Sequence, residues 1–191
     1  MLNRNNMIDK ELSINIKKRR SIFPHEFNGK KIDNETIIEL LENANTAPSH
    51  KLTQPWFFKI FSGKSKKKLA NELAAHHHPN SELFNKKIHA KFESSSHIIC
   101  ICMRRDLNES IPEWEEIAST AMAVQNIWLS CVNSNIGGYW STPKSINKLD
   151  KFLMLSQNER CLGLFYLGMY DSIKNRTLPR KNIQDDTEWF N

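Results

Sequence analysis

Three short stretches hold side chains whose types and spacing suit chemistry. Arg19-Arg20-Ser21 sets two guanidiniums beside a hydroxyl, and Arg180-Lys181 repeats the positive charge far along the chain. Brought together, they would make a cup for an anion. A guanidinium grips phosphate through two parallel hydrogen bonds, and serine adds a short neutral donor. The third stretch, Ala47-Pro48-Ser49-His50-Lys51-Leu52-Thr53-Gln54-Pro55-Trp56, holds two prolines, a histidine, a lysine and a glutamine. Proline fixes φ and removes a backbone donor, so this loop is stiff. A stiff loop with polar side chains suits a ligand site better than a spacer. His50 has little reason to lie in a core, because a buried imidazole must find polar partners. Plainer readings stand beside these. An Arg-Arg pair also suits a solvated helix C-terminus, and Gln54 could tie the loop to itself.

Elements must position these residues. Ile8, Leu12 and Ile16 recur every four residues, which predicts a short helix from Ile8 to Lys18 that delivers Arg19. Asp33 can cap a second helix whose stripe is Ile37, Leu40, Leu41 and Ala44, ended by Pro48. Trp56 to Phe61 reads as a strand, Lys66 to Ala75 as a small surface helix, and His97 to Met103 as a strand buried on both faces. Glu113 to Asn133 is the longest helix. Ile117, Ala121, Val124, Trp128 and Cys131 repeat along it, and Gly137-Gly138 are expected to stop it. Tyr139-Trp140 begins a short strand. Thr142-Pro143 can open a helix to about Leu155, and Leu162 to Met169 is a further strand. The order of elements implies an α+β sandwich, a central mixed or antiparallel sheet surrounded by helices.

With 191 residues the chain is expected to form one domain. Residues 1–8 are expected to be a flexible N-terminus and 170–191 an extended tail. Hydrophobic residues at 39% and charged residues at 25% exclude a disordered chain. No run reaches the length of a membrane span, and Met1 to Lys10 lacks a signal-peptide core, so the expected location is the cytoplasm. Cys100 and Cys102 share one strand face and read as core thiols. His76-His77-His78 point in different directions and suit a polar loop better than a metal site, so no metal is expected. The net charge of +6 allows a nucleic-acid partner, but the lysines are scattered and no recognition motif accompanies them. Neither nucleic acid nor membrane is therefore expected as a partner.

In this order the motifs resemble the FMN-dependent nitroreductases, in particular the short single-domain bacterial NAD(P)H nitroreductases. They are Arg19-Arg20-Ser21-Ile22, Ala47-Pro48-Ser49 through Gln54-Pro55-Trp56, Gly137-Gly138-Tyr139-Trp140, Leu162 to Gly168, and Pro179-Arg180-Lys181 before Trp189. The match runs from about Lys10 to Phe190. It implies a homodimer with FMN at the subunit interface and a C-terminal tail that reaches the partner. Arg19 and Ser21 would hold the phosphate, with Arg180 and Lys181 completing the cup and Arg20 beside the ribityl chain or pyrimidine edge. Thr46, His50 and Gln54 would come from the opening loop, and Trp140, Ser141 and Thr142 would border the ring.

The implied activity is ping-pong transfer from NADH or NADPH to a nitroaromatic, quinone or related small acceptor. No catalytic side chain is required, because flavin N5 carries the hydride. Two positions depart from the family pattern. Phe23 stands where many members have a basic residue, and Leu52 where many have Asn. Both family residues are commonly flavin ligands, so a flavin-binding protein without nicotinamide turnover is the alternative. A basic nucleic-acid-binding module is a third.

Overall fold

The computed structural model describes residues 8–77, 80–172 and 179–190. β2 (His97–Arg104) explains why a sheet lies at the centre. Its side chains alternate between two apolar neighbourhoods, Ile98, Cys100 and Cys102 on one face and Ile99 and Ile101 on the other. All five are fully buried. Around it stand β1 (Trp56–Ser62), β3 (Ile136–Ser141) and β4 (Glu159–Met169). Among the described residues the strand order is β1-β2-β4-β3, with every neighbouring pair antiparallel.

Helices cover both faces. α2 (Asn34–Asn45) buries Ile37, Leu40 and Ala44, and α5 (Glu113–Ser130) buries Ala123, Val124 and Ile127, against Ile99, Ile101, Phe165 and Leu167. Asp33 caps α2 by accepting from the Thr36 N–H, as its position predicts. On the other face α3 (Gly63–His77) and α4 (Glu82–Ser94) pack Leu69, Ala70, Leu73, Ile88 and Phe92 over Ile98, Cys100, Cys102 and Leu164. The result is a helix–sheet–helix sandwich. α1 (Lys10–Lys18) lies outside it, with no buried residue.

Several expectations are corrected. α3 is a core helix, not a surface one, because Leu69, Ala70, Leu73 and Ala74 are buried. α4 was not anticipated, although Ser81 caps it and Phe84, Ile88 and Phe92 recur at helical spacing. The fully buried stripe of α5 includes Glu116, Ser119, Thr120, Ala123, Val124 and Ile127, while Ile117, Ala121 and Trp128 are half-buried.

Gly137-Gly138 do not stop α5. The chain turns at Asn133, whose φ of 64° is left-handed, and the two glycines lie inside β3. They are required there for space, since a Cβ would collide with Ile22 at Gly137 and with Phe165 at Gly138. The segment from Thr142 to Leu155 is a run of turns with one short 3₁₀ piece at Ile146–Leu149, not a helix. Leu149 and Leu153 are buried, which accounts for the helical spacing, but Met154 at φ 52° breaks the path. The expected flexible stretch 1–8 lies, apart from exposed Ile8, outside the described residues. His78 of the histidine run lies outside them too, and His76 sits 3.2 Å from Glu72.

Candidate functional site

α1 ends by delivering two arginines into a cleft. Arg19 caps the helix through its N–H to the Asn15 carbonyl at 3.0 Å. The Asn133 side chain ties this end of α1 to the turn after α5. It donates to Asn15 Oδ1 at 2.8 Å and accepts from Lys18 Nζ at 3.1 Å. The chain then runs beside β3, where the Ile22 N–H donates to the Gly138 carbonyl at 3.1 Å. Lys18, Arg19, Arg20, Gly137, Gly138, Trp128 and Tyr170 line a cleft of about 340 Å³, within the size range of small-molecule sites. Ser21 is half-buried between the cleft residues Arg20 and Ile22.

The electrostatics of this cleft favour an anion. Burial and the neighbouring Arg180 guanidinium both hold the Arg19 pKa below its ordinary value. The tail therefore brings Arg180 near Arg19. Lys181, beside it, is exposed. Arg20 Nη1 is buried and, among the described residues, has no hydrogen-bond partner. A buried cationic donor left unsatisfied is costly, and a multi-oxygen anion would satisfy it. These residues fit a phosphate.

The other expected site residues lie elsewhere in the chain. Thr46 caps α2, donates to the Asn43 carbonyl at 2.8 Å, and accepts from Asn126 Nδ2 of α5 at 3.3 Å. His50 Nδ1 lies 2.6 Å from Glu115 Oε2 in the first turn of α5. The Gln54 N–H donates to Ser49 Oγ at 3.1 Å, so its backbone does tie the loop to itself. Lys51, Leu52 and Gln54 have φ values of 52°, 55° and 42°. Three left-handed non-glycine residues in four make a strained loop, a condition that clusters at functional sites. Glu115 and Trp128 lie thirteen residues apart on α5, so at about 1.5 Å each the His50 end and the arginine end are roughly 20 Å apart.

Trp140 packs against the core under β3. Ser141 and Thr142 line a separate open cleft of about 550 Å³ with Lys144 and Lys148. From Gly138 to Ser141 the strand advances three residues, about 10 Å. The fold thus brings Arg19, Arg20 and Ser21 together, with Arg180 near enough to act on Arg19 electrostatically. It sets Trp140 and Ser141 further along the same edge strand and Thr142 just past its end, and keeps Thr46, His50 and Gln54 apart from them.

The two departures have plain geometries. The Phe23 ring lies 4.8 Å from Tyr139 and 5.8 Å from His25. Leu52 points outward, 82% exposed. The Lys51 ammonium is used on the Ser110 carbonyl at 3.2 Å. Trp128 was read from the sequence as helix core, yet it lines the cleft. Its need for an indole acceptor was a usable signal, but nothing in the sequence names that acceptor.

An antiparallel sheet between helix layers, with a cationic cleft where a helix end meets an edge strand, defines the α+β class of this protein. The chain belongs to the nitroreductase family, whose sequence profile matches residues 16–169. It is 26% identical over 180 residues to YfhC of Bacillus subtilis strain 168, provisionally named an NAD(P)H nitroreductase, covering 89% of this chain and 91% of that one. Its fold matches the crystal structure of a nitroreductase-like protein from Bacillus cereus with a TM-score of 0.84 and 25% identity, over 97% and 98% of the two chains. A nitroreductase-type structure from Desulfovibrio desulfuricans, crystallised with FMN, matches at a TM-score of 0.74 and 20% identity, over 94% and 96% of the chains, which establishes likeness of fold.

Proposed function

We propose that this protein is an FMN-dependent oxidoreductase that passes reducing equivalents from NADH or NADPH to a nitroaromatic, quinone or related small acceptor. The observation that carries the reading is the cleft lined by Arg19 and Arg20, in which Arg20 Nη1 is buried without a partner among the described residues. Arg19, Arg20, Ser21, Arg180 and Lys181 would hold the FMN phosphate. Trp140, Ser141 and Thr142 would border its ring. The name of YfhC and the FMN held by the Desulfovibrio protein support the same reading.

The group supplies two-electron hydride exchange when bound. The chain's own part is to bind, orient and shield. Cations and amide donors at the site stabilise the negative charge that accompanies reduction, most effectively where water is scarce. No side chain needs to act as acid or base. Donor and acceptor then use one pocket in turn.

The reading includes a homodimer. The His50 end of α5 is roughly 20 Å from the arginines, so the strained loop of a second copy would complete each site. The test is colour and its loss. Purified protein should be yellow, and its flavin absorbance should bleach when NADH or NADPH is added without oxygen. A colourless protein that takes up no added FMN would overturn the proposal. The geometries of Phe23 and Leu52 favour one second reading, a flavin protein without nicotinamide turnover. It predicts yellow protein whose flavin stays oxidised with either nucleotide.

A further inference from the structure

We propose that Trp128 is the positioning residue of the cationic cleft: it holds Arg19 and Arg20 in place and thereby sets a preference for a phosphorylated flavin over an unphosphorylated one. The inference rests on the reading of Arg19 and Arg20 as phosphate ligands.

Trp128 contacts both arginines, although 108 residues separate it from Arg20. Its indole N–H donates to the Arg20 carbonyl at 3.1 Å. Its ring carries the Arg19 guanidinium, 4.7 Å from the centroid. The ring is fixed in turn. It meets Phe165 edge-on, 5.2 Å between centroids and 85° between planes. Phe165 is fully buried and covers Gly138, where no Cβ would fit. A continuous chain of packed groups therefore runs from the core to the two arginines.

The choice of an aromatic partner has a chemical consequence. Arg19 and Arg180 repel one another, and free side chains would swing apart into solvent. A carboxylate could hold Arg19, but it would cancel the positive charge and occupy the N–H donors. An indole face attracts the cation without taking any N–H. Among the described residues neither Arg19 nor Arg20 is ion-paired to a carboxylate. The guanidinium is thus oriented while its donors stay available for phosphate oxygens. Binding gains because less freedom is lost when the ligand arrives. The bond to the Arg20 carbonyl fixes the backbone from which the unpartnered Nη1 projects.

The experiment titrates full-length protein, stripped of bound flavin, with FMN and with riboflavin, following flavin fluorescence. Wild type should bind FMN more tightly. Trp128→Leu should lower FMN affinity roughly tenfold, from the lost cation–π contact and hydrogen bond, and leave riboflavin affinity unchanged. Trp128→Phe keeps a ring face but not the N–H, and should lose roughly threefold. Equal losses for both flavins, or none for either, would reduce Trp128 to a packing residue and overturn the proposal. If Trp128→Leu does not fold, the Phe variant decides, and an unchanged FMN-to-riboflavin ratio overturns the proposal. Wild type with no preference for FMN instead overturns the phosphate reading, and the positioning role with it.

Discussion

Arg20 shows what a single residue can disclose. Its Nη1 is buried without an acceptor among the described residues, in a cleft that also holds Arg19. Folding alone gives no reason to keep that atom there, since a buried, unsatisfied cationic donor opposes stability. Replacing Arg19 by Ala should therefore lower the flavin occupancy of purified protein, roughly tenfold in affinity for a charge-assisted phosphate contact. Lys67→Ala, on α3, should leave it unchanged. Equal occupancy in the two variants would count against the phosphate assignment. The arginine pair was legible in the sequence because its members are adjacent and of one chemical type. The partners that orient the site residues were not. His50 meets Glu115 across 65 residues, and Trp128 meets Arg20 across 108. The prolines announced a stiff loop, but the left-handed φ of Lys51, Leu52 and Gln54 is imposed by the fold, since none of these residue types favours it.

At the scale of elements, α5 runs from the His50 loop to the arginine cleft, and its first turn is anchored by a buried carboxylate. Glu116 is fully buried; its carboxylate pairs with Arg105 and accepts the Asp106 N–H at 2.8 Å. The pair fixes the N-terminal turn of α5 to the loop after β2, and so fixes Glu115 against His50. Arg105→Met should cost about 3 kcal/mol or more in denaturant unfolding, because it strands a carboxylate in the core. Arg105→Met combined with Glu116→Leu should recover much of that loss. A single variant as stable as wild type would show the pair to be dispensable. The strands, α2 and α5 were readable from their apolar patterns, a capped one-sided stripe in α2, a continuous apolar run in β2 and a long helical repeat in α5. α4 escaped because only Ile88 and Phe92 of it are buried, too sparse a stripe to stand out. The Thr142–Leu155 turns misled for the opposite reason. Leu149 and Leu153 keep helical spacing, and the Leu153 N–H does reach the Leu149 carbonyl at 2.8 Å, yet most neighbouring bonds there span three residues.

The molecule leaves apolar surface that its own sandwich does not cover. The apolar residues Ile8, Leu12 and Ile16, whose spacing predicted the helix that became α1, are all exposed. In the tail Ile183, Trp189 and Phe190 are 73%, 83% and 90% exposed. Exposed large apolar groups gathered on a peripheral helix and a tail mark an interaction surface. The proposed dimer accounts for them, and it also accounts for a site whose expected residues divide between the two ends of α5. In that arrangement Trp189 and Phe190 dock on the second copy, and the tail that carries Arg180 is held in place by them. Burying each ring is worth about 1.5–3 kcal/mol, so losing both should weaken self-association by at least tenfold. Trp189→Ser with Phe190→Ser, followed by sedimentation equilibrium over a range of protein concentration, should show this shift. Flavin affinity should fall with it, because Arg180 loses its anchor. An unchanged dimer constant would mean that the tail docks elsewhere, and a monomeric wild type would remove the second copy from the site.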